Sequence, residues 1–125
     1  METATTSITS ITESVEEQIG DFMNIRNEAR QALNRIDYDP VAYNEAWNSY
    51  AAASVGLSQM KMLSRFLMAG DATGAENFIR LTIYKIELST SADDLKRREP
   101  SDDDMVNSKL LVYKLFKRYL KAIEK

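Results

Sequence analysis

The stretch ITSITESVEEQIGDFMNIRNEARQALNRI, residues 8–36, decides the fold class. Within it Ile8, Ile11, Val15, Ile19, Phe22, Ile25, Ala29, Leu33 and Ile36 follow one another at steps of three and four. That spacing places all nine on one stripe of an α-helix. Ser10 with Glu13 and Ser14 with Glu17 both have capping-box spacing, so the sequence puts the helix start near one of these serines. Asp37-Tyr38-Asp39-Pro40 ends the pattern. Asp39 is suited to cap a following helix that has Pro40 at its first position, where a missing N–H costs nothing.

Beyond Pro40 the helical spacing continues to about Ala69, but the stripe changes face. Tyr43, Ala46, Trp47, Tyr50, Ser54 and Leu57 share one side, whereas Met60, Leu63, Phe66 and Leu67 lie roughly opposite at about 100° per residue. The small-residue run Ala51-Ala52-Ala53-Ser54-Val55-Gly56 admits a close backbone neighbour, and Gly56 beside small residues is a site for a kink or a split into two helices. Ala69-Gly70-Asp71 reads as a left-handed cap followed by a new N-cap. A third helix then buries Ala75, Phe78, Ile79, Thr82, Ile83 and Ile86, and after Leu88 the pattern dissolves into a frayed extension and polar loop.

The last helix, opened by Ser101 and three aspartates, runs from Asp102 to about Ile123. Its apolar residues span an arc of roughly 220°, against about 100° for an ordinary surface helix. Such a helix needs two neighbours, or one neighbour and another subunit. Leu111, Val112, Leu115, Phe116 and Tyr119 are the candidate interface residues on that arc. Together these elements predict an all-α chain: a four-helix up-and-down bundle in one domain, 1–125, with the second helix kinked or split near Gly56.

Composition bounds the function. Only 4 Gly and 2 Pro occur in 125 residues, too little turn chemistry for a many-stranded sheet. There is no His and no Cys, which removes the commonest general base, metal ligand and thiol nucleophile. A di-iron carboxylate bundle needs Glu-x-x-His pairs that this chain lacks. No glycine-rich phosphate loop or nucleophile elbow occurs, so neither enzyme activity nor a cofactor or metal is expected. Catalysis would rest on groups such as Arg26 and Arg30 meeting a carboxylate from another helix around a small anionic substrate. Asp102-Asp103-Asp104 needs no cation, because acidic residues in a first helical turn suit the helix dipole. Residues 1–14 lack the basic and apolar blocks of an export signal, and no apolar run approaches the roughly 18 residues of a membrane span. A cytoplasmic protein is expected.

Charge is distributed unevenly about the net −3. Residues 1–45 are acidic, with Arg26, Arg30 and Arg35 as their cations, whereas Lys114, Lys117, Arg118, Lys121 and Lys125 recur on the last helix. Regularly spaced cations on a helix suit a phosphate backbone, and Lys96, Arg97 and Arg98 extend the patch if their loop folds alongside. Solvated lysines on an outer helix face are the ordinary alternative. Tyr43, Trp47 and Tyr50 read as core or subunit contact before they read as a stacking platform for bases. Met60, Met62 and Met68 likewise read as core filling before an adaptable groove.

Gly70-Asp71 followed by Ala75 resembles the turn of a tetratricopeptide repeat, although no second copy follows at a period near 34. In size, helical content and basic tail the chain is similar to the small helical subunits of CRISPR ribonucleoprotein effectors. The expected function is that of a non-catalytic subunit or adaptor of a multi-chain assembly, acting by protein–protein contact or as a homo-oligomer. The resemblance implies an alternative, a nucleic-acid-binding accessory subunit of a ribonucleoprotein or DNA complex using the basic face of the last helix.

Overall fold

A computed structural model describes residues 2–35 and 39–124, with side chains from Ile8 onward; Met1, Ile36, Asp37, Tyr38 and Lys125 lie outside the described residues. These residues form five helices: α1 (Glu2–Arg35), α2 (Pro40–Met68), α3 (Ala72–Ser89), the short α4 (Ala92–Leu95) and α5 (Asp104–Glu124). The architecture is all-helical, with no strand among the described residues.

α1 begins well before either serine that resembled its cap. Mid-helix hydroxyls then find other partners: Thr12 Oγ1 donates to the Ile8 carbonyl at 2.9 Å, and Ser14 Oγ lies 2.7 Å from the Tyr119 hydroxyl of α5. α2 starts as its sequence implies, with Asp39 Oδ1 accepting from the amides of Val41 and Ala42 at 3.1 and 3.2 Å. Gly70, at φ +72°, turns the chain at the other end, and the Asp71 amide donates to the Phe66 carbonyl. This left-handed position suits a residue without a Cβ. Asp71 then caps α3 by accepting from the Gly74 amide at 2.8 Å.

α5 starts at Asp104, two residues later than the sequence suggests, because Ser101 to Asp103 form a built turn. Ser101 and Asn107 exchange two hydrogen bonds, 2.7 and 2.8 Å long, and Asp103 Oδ1 accepts from the Met105 amide. The helix termini are thereby supplied with acceptors from the chain itself.

α2 is one continuous helix through Gly56, so of the kink or split expected there the split does not occur. Its change of face has another cause. The buried arc of α2 comprises Ala52, Ala53, Gly56, Leu57, Met60 and Leu63, which meet α1, α3 and α5, while Tyr43 and Trp47 lie outside that arc and are half exposed. The small residues do admit close neighbours: Ser108 of α5 donates to the Ala52 carbonyl at 2.9 Å, and Gly56 faces the buried Phe22 ring of α1.

The core draws Val15 from α1, Met60 and Leu63 from α2, Ile79 from α3, and Val112 and Phe116 from α5, all fully buried. α5 packs against α1, α2 and α3 together, and cross-ties fix its height. Arg80 of α3 pairs with Glu124 at 2.8 Å, Tyr113 donates to Glu87 at 3.0 Å, and Lys109 reaches the Ser89 carbonyl, so α3 and α5 run antiparallel. Asp104 lines one small cavity with Ile25 and Ser49. The remaining residues of α1, and α2 before Ser49, therefore run on past the start of α5 by about 15 Å at 1.5 Å per residue.

The glycines of the long helices give opposite expectations. A Cβ on Gly56 would sit 2.5 Å from the Phe22 ring, while a Cβ on Gly20 meets nothing within 4 Å. Gly20→Ala is expected to raise stability by about 0.5–1 kcal/mol through helix propensity. Gly56→Ala is expected to lower it, because overpacking of about 1–3 kcal/mol exceeds that gain. Urea unfolding midpoints at constant m-value check both.

Candidate functional site

Three surfaces are candidates for function. The first is the outer face of α5, where Lys114, Lys117, Arg118 and Lys121 are exposed; Lys125 lies outside the described residues. These cations are not equally free. Lys117 Nζ stands 5.0 Å from the centroid of the Tyr113 ring and 3.2 Å from its hydroxyl, which itself donates to Glu87. Lys114 Nζ approaches the Arg97 carbonyl at 3.5 Å. The segment after α4 thus folds alongside α5, and Arg97, Arg98 and Lys114 border a cavity of about 380 Å³ floored by Pro100, Leu110 and Leu111. Arg97 also pairs with Asp94 at 3.2 Å, and Lys96 is exposed at the C-cap of α4.

The interface expected on α5 is corrected by burial. Val112 and Phe116 expose nothing and Tyr119 is buried, because α5 lies against three other helices and its wide apolar arc is filled by its own chain. Phe116 meets Phe78 edge-on at 6.0 Å and Tyr119 at 6.0 Å. Leu115 is half-buried against the same core, and only Leu111, at 37% exposure, remains on the surface.

The second surface escaped the sequence reading. On α3, Leu81, Tyr84 and Leu88 are 49%, 58% and 70% exposed. They recur at steps of three and four on the side of α3 opposite Ala75, Ile79, Thr82, Ile83 and Ile86, which are buried. The signal was present: these positions form a second apolar stripe, out of phase with the core stripe. Tyr43 and Trp47 add a smaller exposed edge on α2, where Trp47 stacks on Tyr50 with ring centroids 5.7 Å apart. They are therefore not core residues. Met60 is buried in the core, whereas Met62 and Met68 are exposed.

The third surface is a groove of about 230 Å³ between α1 and α2, lined by Arg26, Ser54, Leu57, Ser58, Lys61, Met62 and Arg65. Arg26 meets cations here, not the carboxylate that an acid–base site would need. Among the described residues no group of acidic side chains is arranged to hold a metal ion. Among the described residues no helix is long and apolar enough to cross a membrane. No family model, no curated protein and no solved structure matches this chain.

One titratable group in the core is perturbed. Burial raises the Tyr119 phenol above its ordinary 10.0, opposed by its hydrogen bond to Ser14 and by the nearby Arg118 charge. The fold therefore prefers the neutral phenol. Its contribution is fully present below pH 10 and is lost as pH rises through the folded-state value. Unfolding followed between pH 9 and about 11.5 is expected to show an alkaline fall in stability that Tyr119→Phe reduces.

Proposed function

We propose that this chain is a non-catalytic subunit or adaptor of a multi-chain assembly, built as a four-helix up-and-down bundle and working by protein–protein contact in the cytoplasm. The observation that carries this reading is the exposed stripe of Leu81, Tyr84 and Leu88. Isolated apolar residues on a surface are ordinary, because polar side chains cannot cover a whole molecule. Three large ones in a row on a single helix, running about 10 Å along its axis, form instead the kind of seam that helices bury against one another. The face lies opposite the core, and among the described residues no element of the chain's own bundle covers it. The reading thus keeps the expected role and moves its surface from α5 to α3.

A second reading is favoured by one specific observation. The loop bearing Lys96, Arg97 and Arg98 folds beside Lys114 and brings the two basic segments together. On that reading the chain is an accessory subunit that holds nucleic-acid phosphates without reading bases.

Native mass spectrometry and sedimentation separate the two. Protein contact predicts a species heavier than the 14.2 kDa chain, returned to 14.2 kDa by the double substitution Leu81→Glu, Leu88→Glu with its helical circular dichroism intact. A wild-type chain that stays at 14.2 kDa at high concentration, and also when isolated from its own cells, overturns the reading. Nucleic-acid binding predicts salt-sensitive affinity for single-stranded RNA or DNA that is lost when Lys114 and Arg118 become glutamate; unchanged affinity in that variant overturns it.

A further inference from the structure

We infer that the groove between α1 and α2 is a binding site for a small, multiply charged oxyanion of the phosphate or pyrophosphate type. Arg26 enters it from α1, and Lys61 and Arg65 enter from α2. Ser58 precedes Lys61 by three residues and Arg65 follows it by four, so the polar groups stand on successive turns of one face. Long side chains on a helix lean toward its N-terminus. On two antiparallel helices, Arg26 and the Lys61–Arg65 pair therefore lean toward one another along the groove.

The electrostatics of the groove are one-sided. No carboxylate lines it, and none of the three cations takes part in an ion pair among the described residues, all of which involve Arg80 or Arg97. This occurs in a chain with 19 acidic and 16 basic residues. Of the acids of α1, Glu13, Glu17, Asp21 and Glu28 project from the side of the helix opposite Arg26 at about 100° per residue, and Glu16, about 80° from Arg26, is exposed and does not line the groove. Gathering three like charges in one concavity is unfavourable unless a counter-charge occupies it. Here the chain supplies none.

The lining also selects the ligand. A guanidinium presents paired N–H donors that match two oxygens of a tetrahedral anion, and Ser58 stands beside them with a hydroxyl. The exposed Ser58 hydroxyl can donate to such an anion, whereas the Ser54 hydroxyl spends its one proton on the Tyr50 carbonyl at 2.8 Å. A phosphate group carries about −1.5 to −2 charges at pH 7, so a diphosphate balances the three cations better than a single carboxylate. The groove, about 230 Å³, is smaller than the roughly 300–1,000 Å³ of a site for a drug-sized molecule. No aromatic ring lines it, so a nucleobase finds nothing to stack on. An anionic head group fits these constraints and a nucleic-acid strand does not.

Isothermal titration of the whole chain with sodium pyrophosphate and with inorganic phosphate tests the site. The expected result is one saturable site, tighter for pyrophosphate, with amide shifts in two-dimensional NMR centred on Ser54 and Ser58. Lys61→Gln and Arg65→Gln, at exposed positions, are expected to keep the melting temperature of the free protein and each to weaken binding by about tenfold or more, the loss of one charge-assisted hydrogen bond. Lys114→Gln is expected to leave it unchanged. No saturable binding at millimolar pyrophosphate, or binding indifferent to Lys61→Gln and Arg65→Gln, would overturn the assignment.

Discussion

Phe116 exposes no surface, and the bundle is arranged around that fact. It projects from α5 into the space shared with Phe78 of α3, and Tyr119 on the next turn of α5 reaches Ser14 of α1. Deleting a buried phenylalanine costs about 3–5 kcal/mol, a large part of the roughly 5–15 kcal/mol that holds a domain together. Because α5 touches α1, α2 and α3, its side chains must be apolar over most of its circumference. Its cations are confined to the remaining arc, and the other helices can afford narrower apolar faces.

Helix existence was legible in the sequence because each long helix carries its own periodicity. The α1 stripe, the Asp39-Pro40 start of α2 and the Gly70-Asp71 turn all depend on residues within a few positions of one another. Helix environment was less legible. The wide arc of α5 was compatible with two neighbours in the same chain or with a neighbour and a partner, and periodicity cannot count neighbours. The out-of-phase stripe on α3 was readable in principle, yet a helix with two apolar faces gives no local sign of which one is covered. The serines of α1 had capping-box spacing in the middle of a helix, where Ser14 serves Tyr119 instead.

The convergence of Arg26 with Lys61 and Arg65 was illegible for a different reason. These residues lie on separate helices, and their meeting depends on the register at which α1 and α2 pack. Gly56 sets part of that register by leaving room for the Phe22 ring. The two basic surfaces therefore differ in kind. On α5 the cations stand in a row on an exposed face, with Lys117 already held over Tyr113, whereas three cations from two helices line one small groove.

The overhang of α1 and α2 beyond the start of α5 divides the molecule mechanically. Around Val15, Met60 and Phe116 each helix is braced by several others, while toward Leu33 and Tyr43 the buried contacts thin to little more than Ala29. Segments with fewer buried contacts open at lower free energy than the body to which they are joined. Backbone amides along the two long helices should consequently exchange with solvent deuterium on a gradient, fastest toward the overhanging end and slowest beside α5, so that a single pair of rods is soft at one end and stiff at the other.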